Sequence, residues 1–585
     1  MIQRLLLLAI GASFAVATAM AAPLRVESDS TEAQLLRDLR AELVEADAPD
    51  TQFEARRQAR RAARKAEEYL NSRGYFAPDI SYSVEPGPPP VPLLKVESGP
   101  QFKLASVQVD VGADPIVNDA LLAIESVRML NPDDAALPTA ILAEEAGLVA
   151  ALKTAGYGEA AARERLVIGD REAGTLDVTF RLVPGPRLRF GTVIYPSGTQ
   201  TRTAYLDRLV PFASGELFSP QKLSTYNRRL NATRMYSVAS AQLSEVASSI
   251  DANGDQVRDV VLRLEARDRY TFSAGASLST SEGPGLTTSL TRRNATRRGD
   301  TVTGAMTLAA LERSFAVDWR IPNVAAFDRT LVLSVKAERE ETDAFDREAL
   351  TASGIFEIRR SSQLTYAFGL ASEFTREEDA LEQRDQQILN VSAAARIDRS
   401  SDPLDPTSGW RADLRIEPAL AIGDRSAQFL TLNGQVSAYQ ALDDEDRFIL
   451  AGRVRNAFVY GTELANLPVS RRFFAGGGGS ARGFEYQSVG PEDANGTPIG
   501  GRSLFEFSGE LRWRREKPLG LVGFLDGATV GTDQGVRFED IRYSAGLGIR
   551  YKTPVGPIRL DLATPLDPDS GDDPVQIYVS IGQAF

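Results

Sequence analysis

Hydrophobic and polar residues alternate with the period of a β-strand from about residue 268 to the C-terminus, in short segments separated by Gly-, Asp- and Pro-containing turns. In one segment, Leu333 and Val335 lie on one face and Ser334 and Lys336 on the other. Sixteen such segments begin near residues 269, 284, 300, 312, 328, 350, 362, 387, 409, 427, 446, 503, 520, 540, 557 and 574. Membrane-crossing strands need roughly 9–11 residues, so this length predicts a 16-stranded antiparallel transmembrane β-barrel over 268–585.

A soluble β-sandwich or propeller also has alternating strands and is the structural alternative. Three features favour the membrane: an export signal, an even number of strands, and a final alternating strand that ends in the aromatic Phe585. Closure of the barrel would satisfy the backbone hydrogen bonds in lipid.

The N-terminal half repeats a different unit three times, at intervals of about 80 residues. A basic-aromatic strand start recurs at Pro100, Pro186 and Asp268, and a helical run that ends near a Tyr, followed by an extended hairpin, recurs in phase with it. This predicts three small α+β domains over 22–99, 100–185 and 186–267, whose exposed sheet edges could add a strand from a passing chain.

The first 21 residues combine a positive start at Arg4, an apolar run and an Ala19-Met20-Ala21 cleavage site. The apolar run is too short to span a bilayer, so 1–21 is predicted to be a secretory signal peptide.

The amino-acid composition excludes several classes of binding and catalytic site. The net charge is −13, and the sequence has no Cys and no His. An acidic chain is a poor nucleic-acid binder, and thiol chemistry, a Ser-His-Asp triad and His- or Cys-ligated metals are excluded. We expect no catalytic residues, no metal and no cofactor. A barrel lipase is disfavoured by the lack of His, although a Ser-Lys mechanism stays open.

The longest predicted connection, about 461–502, holds a run of four glycines followed closely by Arg482. On the neighbouring strands, phase places Glu510 with the lumen-facing set and Asp526 with Phe524. Two interpretations follow: Arg482 is inserted between the two carboxylates as a fixed ionic latch, or it is solvated on a flexible external loop. Composition alone favours the second interpretation.

A resemblance to a known family changes that balance. Three repeats before sixteen strands, the motif Arg482-Gly483-Phe484, a Phe-x-Asp strand motif and the tail 579–585 resemble the POTRA-plus-barrel outer-membrane assembly superfamily. This group includes BamA, TamA and the two-partner secretion transporters. Its BamA members have five repeats and the secretion transporters two, so three repeats make the chain most similar to the TamA branch.

The resemblance implies roles for particular residues. Arg482, Gly483 and Phe484 would form the loop latch motif, with Asp526, Phe524 and Glu510 as its partners on the barrel wall. Gly582 would kink the terminal strand, and Phe585 would complete an assembly signal. Two positions depart from the family pattern: Ala481 replaces a Val before the Arg, and Ala528 replaces a Gly two places after the Asp.

The resemblance also implies a function without covalent chemistry. A TamA-like factor would assist autotransporters and other barrels into the outer membrane of a Gram-negative bacterium, with its repeats in the periplasm. Client strands would pair with sheet edges and with a seam between the first and last barrel strands. Its partners would be a TamB-like protein anchored in the inner membrane, unfolded client proteins and outer-membrane lipids. The alternative is a two-partner-type pore that secretes a soluble exoprotein.

Overall fold

The structure is a computed structural model that describes residues 24–28, 33–43, 49–112, 116–280, 282–379, 382–514, 518–553, 557–569 and 572–581. The predicted signal peptide (1–21) and the predicted terminal-strand residues Gly582 and Phe585 lie outside the described residues. The chain forms two compact units. The first contains residues up to 194 with 211–226 and 241–262, and the second contains 195–210, 227–240 and 263–585.

The N-terminal half forms three small α+β units, each with its own sheet and one in each predicted repeat. The first repeat contains β1 (Arg25–Ser28), α1 (Ala33–Glu42), α2 (Gln52–Ser72), β2 (Asp79–Glu85) and β3 (Val91–Glu97). The second contains β4 (Lys103–Asp110), α3 (Asn118–Ser126), α4 (Pro138–Thr154), β5 (Ala161–Ala162), β6 (Leu166–Asp170) and β7 (Thr175–Val183). The third contains β8 (Leu188–Ile194), α5 (Thr203–Asp207), α6 (Pro220–Ala232), β9 (Tyr236–Leu243), β10 (Ser249–Ile250) and β11 (Gln256–Ala266).

The three sheets share one topology. The last strand of each repeat is central, and it pairs in parallel with the first strand, as β3 does with β1, β7 with β4 and β11 with β8. The other strands of each repeat add on the opposite side of that central strand. The repeated sequence pattern therefore corresponds to a repeated strand order, although the exact domain boundaries stay predictions.

Helix α2 shows why these segments fold locally. Thr51 caps the helix by accepting a hydrogen bond from the Glu54 backbone N–H at 3.2 Å, and the Glu54 carboxylate accepts one from the N–H of Asp50, just before the cap, at 3.1 Å. Ala59 and Leu70, on the apolar stripe of the helix, are completely buried. The stripe packs this repeat's helix onto its sheet.

The C-terminal half forms a closed barrel of sixteen antiparallel strands in sequence order. The strands are β12 (Tyr270–Ser279), β13 (Gly283–Arg293), β14 (Thr301–Ala309), β15 (Glu312–Pro322), β16 (Arg329–Glu341), β17 (Phe345–Arg359), β18 (Leu364–Asp379), β19 (Gln383–Asp398), β20 (Gly409–Gly423), β21 (Ala427–Ala441), β22 (Phe448–Tyr460), β23 (Ser503–Arg514), β24 (Leu519–Gly531), β25 (Arg542–Tyr551), β26 (Ile558–Pro565) and β27 (Gln576–Ile581). The predicted fold class is confirmed, and the soluble sandwich and propeller alternatives are wrong.

The faces of the strands alternate as predicted. Val335 and Leu511, for example, are about half exposed on the outer wall, whereas Arg512 is buried on the inner one. Hydrogen bonds between β12 and β27 complete the ring and leave no open edge in the sheet order. Among the described residues, no helix has both the length and the apolar character needed to cross a bilayer.

Candidate functional site in the barrel lumen

The predicted longest connection, which we call the lumen loop (461–502), joins β22 to β23 and folds into the barrel. Its buried residues Ala475, Phe484 and Val489 pack with Leu504 and Val530 of the strand walls. These two wall residues lie on the inner face, so the loop occupies the lumen and is not a flexible external segment.

Arg482 lies at the centre of the buried contacts of this loop and is only 2% exposed. Its Nε and Nη2 donate to the two carboxylate oxygens of Asp526 at 2.7 and 2.9 Å. Its Nη1 donates to Glu510 at 2.9 Å and to Asp561 at 3.3 Å. The paired contact with Asp526 uses the planar fork of the guanidinium, which fixes orientation as well as charge.

Two further arginines balance the charge around this contact. Arg512 pairs with Glu510 at 2.8 Å, and Arg550 pairs with Asp561. We call the six residues Arg482, Arg512, Arg550, Glu510, Asp526 and Asp561 the latch cluster. Three cations face three anions, so the cluster carries no net charge although every member is buried. If Arg482 left its place, the cluster would carry one uncompensated buried negative charge, which is strongly destabilising.

An aromatic ring also contacts the Arg482 side chain, and a second cation–π contact involves Phe484 of the same motif. The guanidinium carbon lies 3.5 Å from the centre of the Phe524 ring, which is a stacked cation–π contact. The Phe484 ring is itself buried and lies beneath Arg542, whose guanidinium carbon is 4.7 Å from the ring centre. Phe524 and Phe484 were both singled out in the sequence.

Gly483 needs to be glycine. Its φ is +100°, in the left-handed region, and a Cβ there would come within 2.9 Å of the Ser544 Cβ and 3.1 Å of the Thr564 backbone. This close approach of loop backbone to wall explains the middle residue of the Arg-Gly-Phe motif.

The two departures from the family pattern lie in one apolar cluster. Ala481 and Ala528 are both buried, with Leu504 and Val530 among the same group of side chains. Relative to the family residues, Ala481 is smaller and Ala528 is larger. The latch contacts of Arg482 form with these residues in place.

The structure therefore brings together Arg482, Asp526, Glu510 and Phe524, which the sequence placed near one another. It adds Asp561 on β26, which sequence reasoning missed. Asp561 alternates with the exposed Leu560 and Leu562, and the same phase argument that placed Glu510 could have found it.

A second group of contacts on the lumen loop was also missed. The Val469 backbone N–H donates to Glu377 at 2.8 Å, and Arg471 Nη2 donates to Glu373 at 2.8 Å. Arg347 on β17 also pairs with Glu373, at 2.9 Å. We call this group, on strands β17 and β18, the second anchor. Acidic residues spaced on the inner face of β18 were its only sequence signal.

The lumen loop also contacts the strands on both sides of the seam, the junction of β12 and β27. Gly478 donates its backbone N–H to Glu282, just after β12, at 2.8 Å. Tyr578 of β27 accepts from the Gly483 N–H at 3.2 Å. Among the described residues, β12 and β27 share the registered pairs Leu278–Val579 and Ser279–Tyr578.

This combination, a closed sixteen-strand barrel with an inserted Arg-Gly-Phe loop, matches a known family. The model of the Omp85 superfamily domain matches residues 294–585. These residues form an Omp85 superfamily domain. Omp85 barrels lie in the outer membrane of Gram-negative bacteria with their N-terminal POTRA domains in the periplasm, which confirms the predicted location.

Relatives of this chain include two outer-membrane protein assembly factors named BamA. The BamA of Nitratidesulfovibrio vulgaris is 24% identical over 508 residues, which cover 84% of this chain and 63% of that protein. The BamA of Neorickettsia risticii is 21% identical over 436 residues, which cover 70% of this chain and 57% of that protein. The chain spans less than two thirds of the length of either relative. Both are assembly factors by name, which agrees with the expectation of a protein that is not an enzyme.

A solved structure shares the fold of this chain. The crystal structure of BamA from Haemophilus ducreyi lacking POTRA domains 1–3 superposes with a TM-score of 0.69 at 17% sequence identity. The similarity covers 82% of this chain and all of that structure. The family model thus assigns residues 294–585 to the superfamily, and the BamA structure shows that the fold is shared.

Proposed function

We propose that this Omp85 protein is an outer-membrane assembly factor of the TamA type, which promotes insertion of autotransporters and other barrel proteins. The observation that carries the proposal is the lumen loop, held inside the barrel by the neutral latch cluster. An occupied lumen favours a route in which clients use the barrel wall rather than its centre.

The repeats offer the first surface that such a client would need. Among the described strands, β6 pairs with β7 alone, and all five of its residues are exposed. Leu166, Val167 and Ile168 give this edge an apolar character. An extended client segment could add here through backbone hydrogen bonds, with its own alternating apolar residues on the strand faces.

The seam offers the second surface. A strand that enters lipid must not expose unpaired backbone groups, and separable first and last strands could pair with it throughout insertion. The lumen loop contacts the turn after β12 through Gly478 and Glu282, and it contacts β27 itself through Gly483 and Tyr578. We propose that release of the loop from one side accompanies opening.

The partners follow from the same proposal. They are unfolded outer-membrane client proteins, outer-membrane lipids and a TamB-like inner-membrane-anchored protein that contacts the periplasmic repeats. Arg482, Gly483 and Phe484 act as the latch, with Asp526, Phe524 and Glu510 on the wall. Gly582 and Phe585 act in the terminal strand. None of these roles involves a cofactor.

The test is reconstitution of the full chain in lipid vesicles with a urea-unfolded autotransporter barrel. The measured quantity is the fraction of client that becomes protease-resistant and heat-modifiable, compared with empty vesicles. Planar-bilayer conductance is recorded on the same preparation. Faster client folding with little steady conductance is expected. No acceleration together with a large steady conductance would contradict the proposal and favour the secretion pore.

A further inference from the structure

A polar cavity of about 420 Å³ lies at the periplasmic mouth of the barrel. Its walls are the ends of strands β13 to β18, the turns beside them, and the end of α6 with the residues that follow it. The turns 294–300 and 323–328 each follow an even-numbered strand of the barrel, counted from β12. They are therefore at the end of the barrel where the chain enters β12, which is the periplasmic end.

The cavity is basic in an acidic protein. Its lining includes five arginines and two carboxylates, namely Arg229, Arg234, Arg293, Arg320, Arg359, Asp328 and Glu357. Three positive charges are thus in excess, whereas the whole chain has a net charge of −13. A local excess of this sign attracts anions and steers them to the site.

Several of these arginines are held in place by the fold. Arg229 lies over the Phe327 ring, with its guanidinium carbon 4.5 Å from the ring centre, and donates to the Leu209 carbonyl at 3.1 Å. Arg293 donates to the Asp268 carbonyl at 3.0 Å. Positioned guanidinium groups lose little freedom when they bind a carboxylate.

The remaining arginines of the cavity differ in their ion pairing and in their exposure to solvent. Arg320 forms an ion pair with Glu357. Arg234 and Arg359 are exposed. Burial raises the pKa of Asp328, while Arg359 and Arg229 oppose that shift.

The strand faces show from which side a ligand would come. Trp319 and Leu333 are paired neighbours on the outer, lipid-facing wall. Arg320 follows Trp319 and therefore faces the lumen, as does Thr301, its neighbour in the sheet. The cavity opens toward the lumen and periplasm, so a chain in the periplasm reaches it more directly than a bilayer lipid.

We propose that this cavity binds a carboxylate-bearing, extended peptide segment that arrives from the periplasm. The arginines would pair with its carboxylates, and Phe327 and Pro322 would contact its apolar side chains. The proposal rests on the proposed function in one respect, because the natural source of such a segment would be a client protein. It assigns the first contact of an acidic client segment to the mouth of the barrel.

The test measures peptide binding to the full chain in detergent, with no client assembly involved. The probe is a fluorescent ten-residue peptide containing four Asp and two Phe, and its matched neutral form has Asn in place of Asp. We expect the acidic peptide to bind about tenfold more tightly than the neutral one. The double variant Arg234→Ala/Arg359→Ala should remove most of that difference, since two exposed charge contacts contribute about this much.

A matched control uses arginines at the same end of the barrel but outside the cavity. The variant Arg396→Ala/Arg447→Ala removes the same charge and should leave binding unchanged. Equal losses in both double variants would overturn the proposal, because they would show only a general charge effect. Micelles containing phosphatidylglycerol form a separate arm: binding of this lipid with the same arginine dependence, without peptide preference, would overturn it in favour of a lipid headgroup.

The two proposals fail separately. Wild-type protein that accelerates client folding in vesicles but does not prefer the acidic peptide would contradict the cavity proposal alone. Protein that binds the acidic peptide through Arg234 and Arg359 but does not accelerate client folding would contradict the assembly function alone.

Discussion

The Tyr578 hydroxyl ties the last described strand of the barrel to the Arg-Gly-Phe motif of the lumen loop. It accepts from the Gly483 N–H at 3.2 Å and donates to the Phe484 carbonyl at 3.2 Å, and the side chain is almost completely buried. One hydroxyl thus satisfies two backbone groups of the loop next to Arg482. The position of the latch and the position of β27 are coupled through this contact.

Replacement of Tyr578 by Phe should loosen the loop. The buried Gly483 N–H loses its partner, which costs about 1–3 kcal/mol, whereas the Phe484 carbonyl keeps the Gly477 N–H as a donor at 3.2 Å. We expect the barrel to unfold at a lower temperature on heat-modifiability gels and its loop to become more sensitive to trypsin. Tyr366→Phe, on the exposed wall of β18, is the matched control and should change neither. An unchanged Tyr578→Phe protein would mean that the loop is held without this contact.

The latch cluster predicts strong energetic coupling between Arg482 and Asp526. Arg482→Met leaves the cluster with one excess negative charge, and breaking a buried pair in this way costs about 3–5 kcal/mol. Asp526→Asn leaves one excess positive charge. The double variant restores neutrality, so its loss of unfolding free energy should be smaller than the sum of the single losses by about 0.5–3 kcal/mol.

Urea unfolding in detergent micelles measures that coupling. The exposed pair Arg376–Asp385, at 2.8 Å, provides the control cycle. Solvent screens this pair, so its coupling should be much weaker than that between Arg482 and Asp526. Equal coupling in the two cycles would show that burial adds nothing to the latch.

Much of the barrel could be predicted from the sequence because strand alternation is a local signal. The predicted starts at 409, 427 and 503 coincide with the first residues of β20, β21 and β23 in the structure. The prediction for β17 began at 350 instead of Phe345, because the polar first residues of that strand resemble a turn. Strand β17 thus begins before its apolar pattern does, with charged residues in its first turn-like positions.

The candidate site was partly predictable for a different reason. Glu510 and Asp526 lie on strands next to each other in sequence and in the sheet, so phase alone places both near an inserted Arg482. The second anchor joins Arg471 to Glu373, which are 98 positions apart. No local pattern specifies which wall a long loop reaches, and this contact depends on the closed barrel.

The second anchor predicts a separable effect on the first part of the lumen loop. The double variant Glu373→Gln/Glu377→Gln weakens the contacts of Arg471 and Val469 and leaves the latch cluster intact. We expect trypsin to cleave after Arg471 or Arg472 about tenfold faster, since the lost charge contacts contribute about 1.4 kcal/mol to closure. Glu348→Gln, on an exposed part of β17, is the control. Faster cleavage in the control variant as well would contradict the assignment.

Acid should weaken one periplasmic turn through Asp300. Although burial alone would raise it, hydrogen bonds from Thr296 and from Trp319 Nε1 hold the pKa of Asp300 below its ordinary value of 3.8. A lowered pKa in the folded state stabilises the protein above the ordinary value, and this stabilisation is lost as pH falls through the lowered one.

Melting temperatures measured from about pH 6 down to about pH 3 test this effect, because the ordinary pKa of Asp lies within that range. Asp300→Asn keeps a side-chain acceptor but cannot titrate, so its melting temperature should fall less steeply with acid than that of the wild type. Parallel curves for the two proteins would mean that Asp300 does not contribute to the acid response.

A disulfide across the seam should stop client assembly if the seam must open. Leu278 and Val579 are registered partners on β12 and β27, and both are exposed on the outer wall. The variant Leu278→Cys/Val579→Cys should fold, and oxidation should abolish its acceleration of client folding in vesicles, with recovery after reduction.

The matched control is Leu286→Cys/Leu308→Cys, a registered outer-wall pair on β13 and β14. That crosslink joins strands that have no reason to separate, so oxidation should leave its activity unchanged. If the oxidised seam variant still assembles clients at the wild-type rate, then strands enter the bilayer without separation of β12 from β27, and the lateral route is wrong.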